Sequence, residues 1–139
     1  MELEQRGVYA ESVREKSLSY IFCYNLGMLR LISGKALPED LAEAAKDLEE
    51  YVKFVVDINR EVVTLGGKRH FEGEQLLLGN GSKQSDLWGG GFDTISHTLD
   101  FEAVINIRPN DNNPSKEVLS QEIRQKILII LKKKTPWKI

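Results

Sequence analysis

The run Lys53-Phe-Val-Val-Asp-Ile-Asn-Arg-Glu-Val-Val-Thr-Leu-Gly-Gly67 decides the fold class. Its valines and isoleucine are β-branched, the kind of side chain that packs well on a pleated surface. Residues 53–58 therefore read as a strand, Asn59-Arg60 as a two-residue turn and 61–65 as the returning strand, closed by Gly66-Gly67. A hairpin makes its strands antiparallel neighbours, so the helices around it belong to an α+β fold.

Upstream, Leu29-Arg-Leu-Ile-Ser33 alternates as a short strand and Gly34 ends it. Pro38-Glu-Asp40 has proline in a first turn and acids at the positive end of a helix dipole. Leu37, Leu41, Ala44, Ala45 and Leu48 then recur at helical spacing, which predicts a helix over 38–50. Downstream, a short helix from about Phe71 ends at Gly79-Asn80-Gly81, although Gly73 is a poor helix former. A strand follows over 84–92, bent or bulged at Gly89-Gly-Gly91, and a loop over 93–100. Residues 101–108 alternate, with Phe101, Ala103, Ile105 and Ile107 on one face and Glu102, Val104, Asn106 and Arg108 on the other, so they read as a strand. After a turn-rich loop over 109–115, Ser115 is the expected N-cap of a last helix at 116–132, with Lys132, Lys133 and Lys134 at its negative end.

The expectation is a mainly antiparallel sheet of four to five strands with helices packed mostly on one face. The first six elements follow the β-α-β-β-α-β order of a ferredoxin-like unit, with a terminal strand and helix added. Residues 28–139 form a single domain, and 1–27 an N-terminal extension, partly helical over 10–24 with Gly27 as its stop, unless Met28 is an alternative start. The stretch Leu18–Met28 is short, follows acidic residues and lacks a small-x-small cleavage site, so it is not read as a signal peptide.

Composition narrows the function classes. The 139 residues suit one soluble domain with a sizeable core. A net charge of −2 gives no reason to expect nucleic acid or an anionic membrane, and no run is long and apolar enough to span a bilayer. A single cysteine, Cys23, forbids an internal disulfide and any cysteine cluster for zinc, and a cytoplasmic location is expected.

Several motifs stand together between the hairpin and the last helix. Val55-Val-Asp57, the Gly67…His70…Glu74 spacing, Leu77-Leu78, Gly81-Ser-Lys-Gln84, Asp86-Leu-Trp-Gly89 and Ile105-Asn-Ile-Arg-Pro109 are the ones that matter. On these the chain, from Met28 to about Leu131, resembles DUF5674, a family of small prokaryotic proteins known only as a domain of unknown function. The chain departs from that pattern at Gly90-Gly91, where a bulkier residue and an asparagine are more usual, and at Glu72, where aspartate is common. The resemblance implies where a site lies and no chemistry for it.

Asn80-Gly-Ser-Lys-Gln84 resembles an anion-binding loop, in which glycines free backbone N–H groups and serine and lysine add donors. It lacks the spacing of a P-loop and follows a helix where a P-loop follows a strand. Arg108 offers a fork for a carboxylate or phosphate, or an ion pair to Asp86 or Glu102, and Asn106 shares its strand face. The expected reading is a non-enzymatic binding or interaction module, with a polar anion pocket around 80–89 and 106–113 built from Ser82, Lys83, Gln84, Trp88, Asn106 and Arg108. Its expected partners are a small anionic ligand and further copies of the chain. The alternative is a small hydrolase or nuclease acting on a phosphorylated or nucleotide substrate through His70, Glu74 and Asp86, which requires His70 and a carboxylate in one cleft with Lys83 and Arg108. His70 and Glu74 share a helix face but leave a zinc site short of ligands, so neither metal nor cofactor is expected.

Overall fold

A computed structural model describes residues 8–14, 17–24 and 27–139, of which those before Leu29 are described by backbone alone. The hairpin is present: β4 (Tyr51–Asp57) pairs antiparallel with β5 (Val62–Gly66), Asp57 lying opposite Val62. Its loop is longer than the expected two residues because Asp57 organises it. Asp57 Oδ1 accepts from the backbone N–H of Asn59 at 2.9 Å and of Arg60 at 2.8 Å, and Glu61 takes a left-handed φ of 56°.

Around this pair run β3 (Gly27–Ile32), α1 (Pro38–Ala44), α2 (His70–Gly79), β6 (Leu87–Asp93), β7 (Thr98–Asp100) and α3 (Gln121–Lys134). The expected helix over 10–24 is replaced by two strands, β1 (Val8–Arg14) and β2 (Ser17–Tyr24), paired antiparallel. Tyr20, Ile21, Phe22 and Tyr24 are strand formers, and their pairing with β1 and β3 outweighs a weak helical period. The start of the expected extension, 1–7, lies outside the described residues. The sheet runs β1-β2-β3-β5-β4-β6-β7, with every neighbouring pair antiparallel. From β3 to β6 the element order is the expected β-α-β-β-α-β. The spatial order differs from a ferredoxin-like unit, whose last strand lies beside its first. Here β6 pairs with β4, and β2 occupies that edge of β3.

Strand alternation separates two cores. Val52, Phe54, Val56, Val63, Leu65, Trp88 and Phe92 face α1 and α3, packing with Leu41, Ala44, Ile127, Ile130 and Leu131. Val55, Val62 and Leu87 face the other way and pack with Leu31 and with Leu77 of α2. Of the three helices among the described residues, two thus share a face. Gly73 lets α2 lie close on the sheet, because a Cβ there would overlap the Thr64 hydroxyl. α1 stops at Ala44, short of the expected 50, and Glu49 and Glu50 take φ of 51° and 77° before β4 begins.

The largest departure lies between β7 and α3. The expected strand over 101–108 is a loop with a 3-10 turn at Val104–Asn106. The expected start of the last helix at 116 moves to Gln121, where Ser120 Oγ accepts from Ile123 N at 3.2 Å. Asn113 accounts for the shift. Its amide donates to the carbonyls of Asn106, Ser115 and Glu117, and its oxygen accepts from Leu119 N, so those backbone groups are spoken for outside a helix.

Candidate functional site

A cleft of about 360 Å³ is lined by Tyr51, Lys53, His70, Asp100, Glu102, Ala103, Val104 and Lys116, of which Tyr51, His70 and Ala103 pack over the Gly89–Gly91 run of β6. Each glycine is needed because a neighbour occupies the space of a Cβ. At Gly89 it would press on Ala103 and His70, at Gly90 on the Asp100 carbonyl and Phe54, and at Gly91 on the Tyr51 hydroxyl. Gly91→Ala is therefore expected to cost roughly 1–3 kcal/mol by overpacking. Chemical denaturation of the G91A and Y51A single variants and of the pair checks this. Equal costs of G91A with and without Tyr51 would sink it, since the overlap is with that ring.

Two of the wall's carboxylates are committed. Tyr51 donates to Asp100 Oδ2 at 2.6 Å, and the backbone N–H of Glu102 donates to Asp100 Oδ1 at 3.0 Å. Burial, then the Asp100 bond, pushes the Tyr51 hydroxyl well above the usual tyrosine pKa. Glu102 faces Lys116 at 3.7 Å, both well exposed. His70, at the first turn of α2, binds the Gly90 carbonyl through Nε2 at 2.7 Å. Burial holds its pKa below the usual histidine value; the Gly90 bond and Asp100 oppose this, and Lys53 reinforces it. Lys53, half-buried, makes no hydrogen bond or ion pair among the described residues.

The residues expected to make an anion pocket are only partly brought together. Ser82 turns inward, donating to the buried Asp57 Oδ2 at 2.6 Å and accepting from Arg60 Nη1 at 2.9 Å. Asn106 is 0% exposed and is used up by four backbone groups: Gly89 N, Gly89 O, Phe101 O and Lys116 O. Trp88, 3% exposed, is a core residue with the Arg108 guanidinium 4.0 Å above its ring. Arg108 donates to Leu87 O and pairs with Asp111 at 3.0 Å, in place of the expected Asp86 or Glu102. Burial lowers its pKa, with Asp111 and then Glu74 opposing, and its Nη2 is buried without a hydrogen bond. Gln84 reaches the buried Glu74 at 3.4 Å, and Lys83 is exposed. Among the described residues, no hydrogen bond or ion pair joins His70 to Glu74 or Asp86, and neither Lys83 nor Arg108 lines the cleft that holds His70. Tyr51, Lys53 and Asp100 were missed because their meeting depends on β4, β6 and β7 standing side by side; the Gly-Gly-Gly run was the available signal.

Among the described residues no cluster of metal-ligating side chains occurs, and no helix is long and apolar enough to cross a membrane. A family model described as protein of unknown function, DUF5674, matches residues 30–134. No curated protein and no solved structure matches the chain.

Proposed function

We propose a function from the site alone, because this chain belongs to DUF5674, a family described only as protein of unknown function. The reading is a non-enzymatic binding module that takes a small oxyanion, a carboxylate or phosphate, in the cleft over Gly89–Gly91. One observation carries it. The carboxylates of the wall are engaged by Tyr51, the Glu102 backbone and Lys116, which leaves the Lys53 ammonium as the uncommitted charge. Acid–base chemistry is less well supported, since Tyr51 is held protonated against Asp100 and, among the described residues, no carboxylate is hydrogen-bonded to His70. The hydrolase or nuclease reading also required Lys83 and Arg108 in the cleft of His70, and they do not line it.

A thermal-shift panel of phosphate, sulfate, small carboxylates and nucleotides tests the reading. A ligand at a hundred times its Kd adds about 2.7 kcal/mol of stability, so the melting temperature rises. Lys53→Ala is expected to remove that rise while the unliganded melt stays close to native. A second reading keeps the anion near residues 84 and 108, where the partnerless Arg108 Nη2 favours it. A phosphate response that survives K53A and disappears in Lys83→Ala would select it. Self-association belongs to the same proposal, and light scattering on the same samples reports it.

A further inference from the structure

We infer that the cleft takes up its anion together with one proton, which binds at Nδ1 of His70. This rests on the proposed oxyanion site and adds to it a regulation by pH. The partner of Nε2 is the Gly90 carbonyl, which can only accept, so Nε2 carries the hydrogen of the neutral ring. The Nε2 and Cδ2 edge lies on the glycine strand, where Cδ2 would be 3.0 Å from a Cβ at Gly89. Nδ1 is on the other edge of a ring that lines the cleft, and among the described residues it has neither a protein partner nor complete burial. In the neutral ring Nδ1 presents a lone pair, which repels an oxyanion held by Lys53. Once protonated, it presents a donor with a full charge behind it.

The charges facing His70 set the direction of the coupling. From β4 come Lys53, which disfavours the imidazolium, and Tyr51, which is neutral and tied to Asp100. From β7 comes Asp100, which favours it. The following loop supplies Glu102 and Lys116, paired with each other, and β6 offers only glycine backbone. On α2 itself, Glu74 lies one turn on and Arg69 just before. An anion at Lys53 cancels the one repulsive neighbour from the sheet and adds an attractive one. By reciprocity, proton and anion then strengthen each other's binding.

Sulfate is the probe, because its charge is constant across the range from about pH 5 to 8 in which histidine titrates. Calorimetric titration of the full chain is expected to show affinity falling by up to about tenfold per pH unit above the His70 midpoint. Repeating it in buffers of different ionisation enthalpy is expected to report uptake of close to one proton. His70→Gln keeps a donor for Gly90 O and cannot titrate, so it is expected to bind sulfate weakly, with a flat pH profile and no uptake. Proton NMR of the native protein gives an independent reading: sulfate raises the titration midpoint of His70 and leaves that of exposed His97 unchanged. Sulfate binding that depends on Lys53 but is flat with pH, without uptake or midpoint shift, overturns the proton coupling alone. Binding unaffected by Lys53→Ala overturns the site and the coupling together.

Discussion

Asp40→Ala is expected to lower the unfolding free energy by about 3–5 kcal/mol, the usual cost of leaving one partner of a buried ion pair alone. Arg30 on β3 and Asp40 on α1 are 5% and 0% exposed, and Arg30 Nη1 donates to Asp40 Oδ1 at 2.9 Å. Asp40 Oδ2 also accepts from Leu37 N at 2.9 Å, which closes the first turn of α1. The variant thus loses a helix cap and leaves a guanidinium in the core between sheet and helix. Among the described residues the Arg30 Nε is buried without a hydrogen bond, and Asp40 is the hydrogen-bonded ion-pair partner of the guanidinium. Replacing both residues, as Arg30→Met with Asp40→Ala, removes the stranded charge and is expected to cost less than D40A alone. Urea unfolding of the native, single and double variants measures this. A D40A cost under about 1 kcal/mol would mean that water reaches the pair, and the idea would fall.

The same pair illustrates what is legible in a sequence. Pro38-Glu-Asp40 marks a helix start whatever surrounds it, because capping is local chemistry. That Asp40 also neutralises an arginine ten residues earlier depends on α1 crossing β3, and alternation alone says nothing of that. The hairpin at 51–66, α2 and β6 were readable for the same local reason. The loop after β7 was not. Phe101, Ala103, Ile105 and Ile107 alternate with polar residues as in a strand, yet the backbone there serves a different end. Glu102–Glu117 and Arg108–Asn113 form only isolated bridges, and the side-chain amides of Asn106 and Asn113 take up several further backbone groups. Ser82 misleads in the same way. A serine in a glycine-flanked turn suggests a ligand donor, and here the buried carboxylate of Asp57 claims it. Several of the polar residues richest in donors were the ones the fold used for itself, and the cleft instead holds the Lys53 ammonium of β4 and the ring of His70 on α2.

Asn106 is the clearest case, and its replacement should be about as damaging as that of Asp40. β7 pairs with β6 only from Gly91 onward, so the outer edge of β6 at Gly89 lacks a strand partner. The Asn106 side chain supplies one: Oδ1 accepts from Gly89 N at 2.8 Å and Nδ2 donates to Gly89 O at 3.0 Å. Nδ2 also reaches Phe101 O at 3.2 Å and Lys116 O at 2.9 Å, tying both sides of the loop to the sheet. Asn106→Leu roughly preserves volume but strands several buried backbone groups at about 1–3 kcal/mol each, so a loss of at least about 3 kcal/mol is expected. Asn106→Asp keeps the acceptor for Gly89 N and turns a carboxylate toward three carbonyls, so it is expected to be as harmful or worse. Denaturant titration with both variants measures the cost, and an N106L loss below about 1 kcal/mol would show that water or a shifted loop satisfies Gly89. The effect should extend to binding. The loop that Asn106 anchors carries Glu102, Ala103 and Val104, one wall of the cleft. Any Asn106 variant that still folds should therefore bind oxyanions more weakly than native, with Lys53 and His70 both intact.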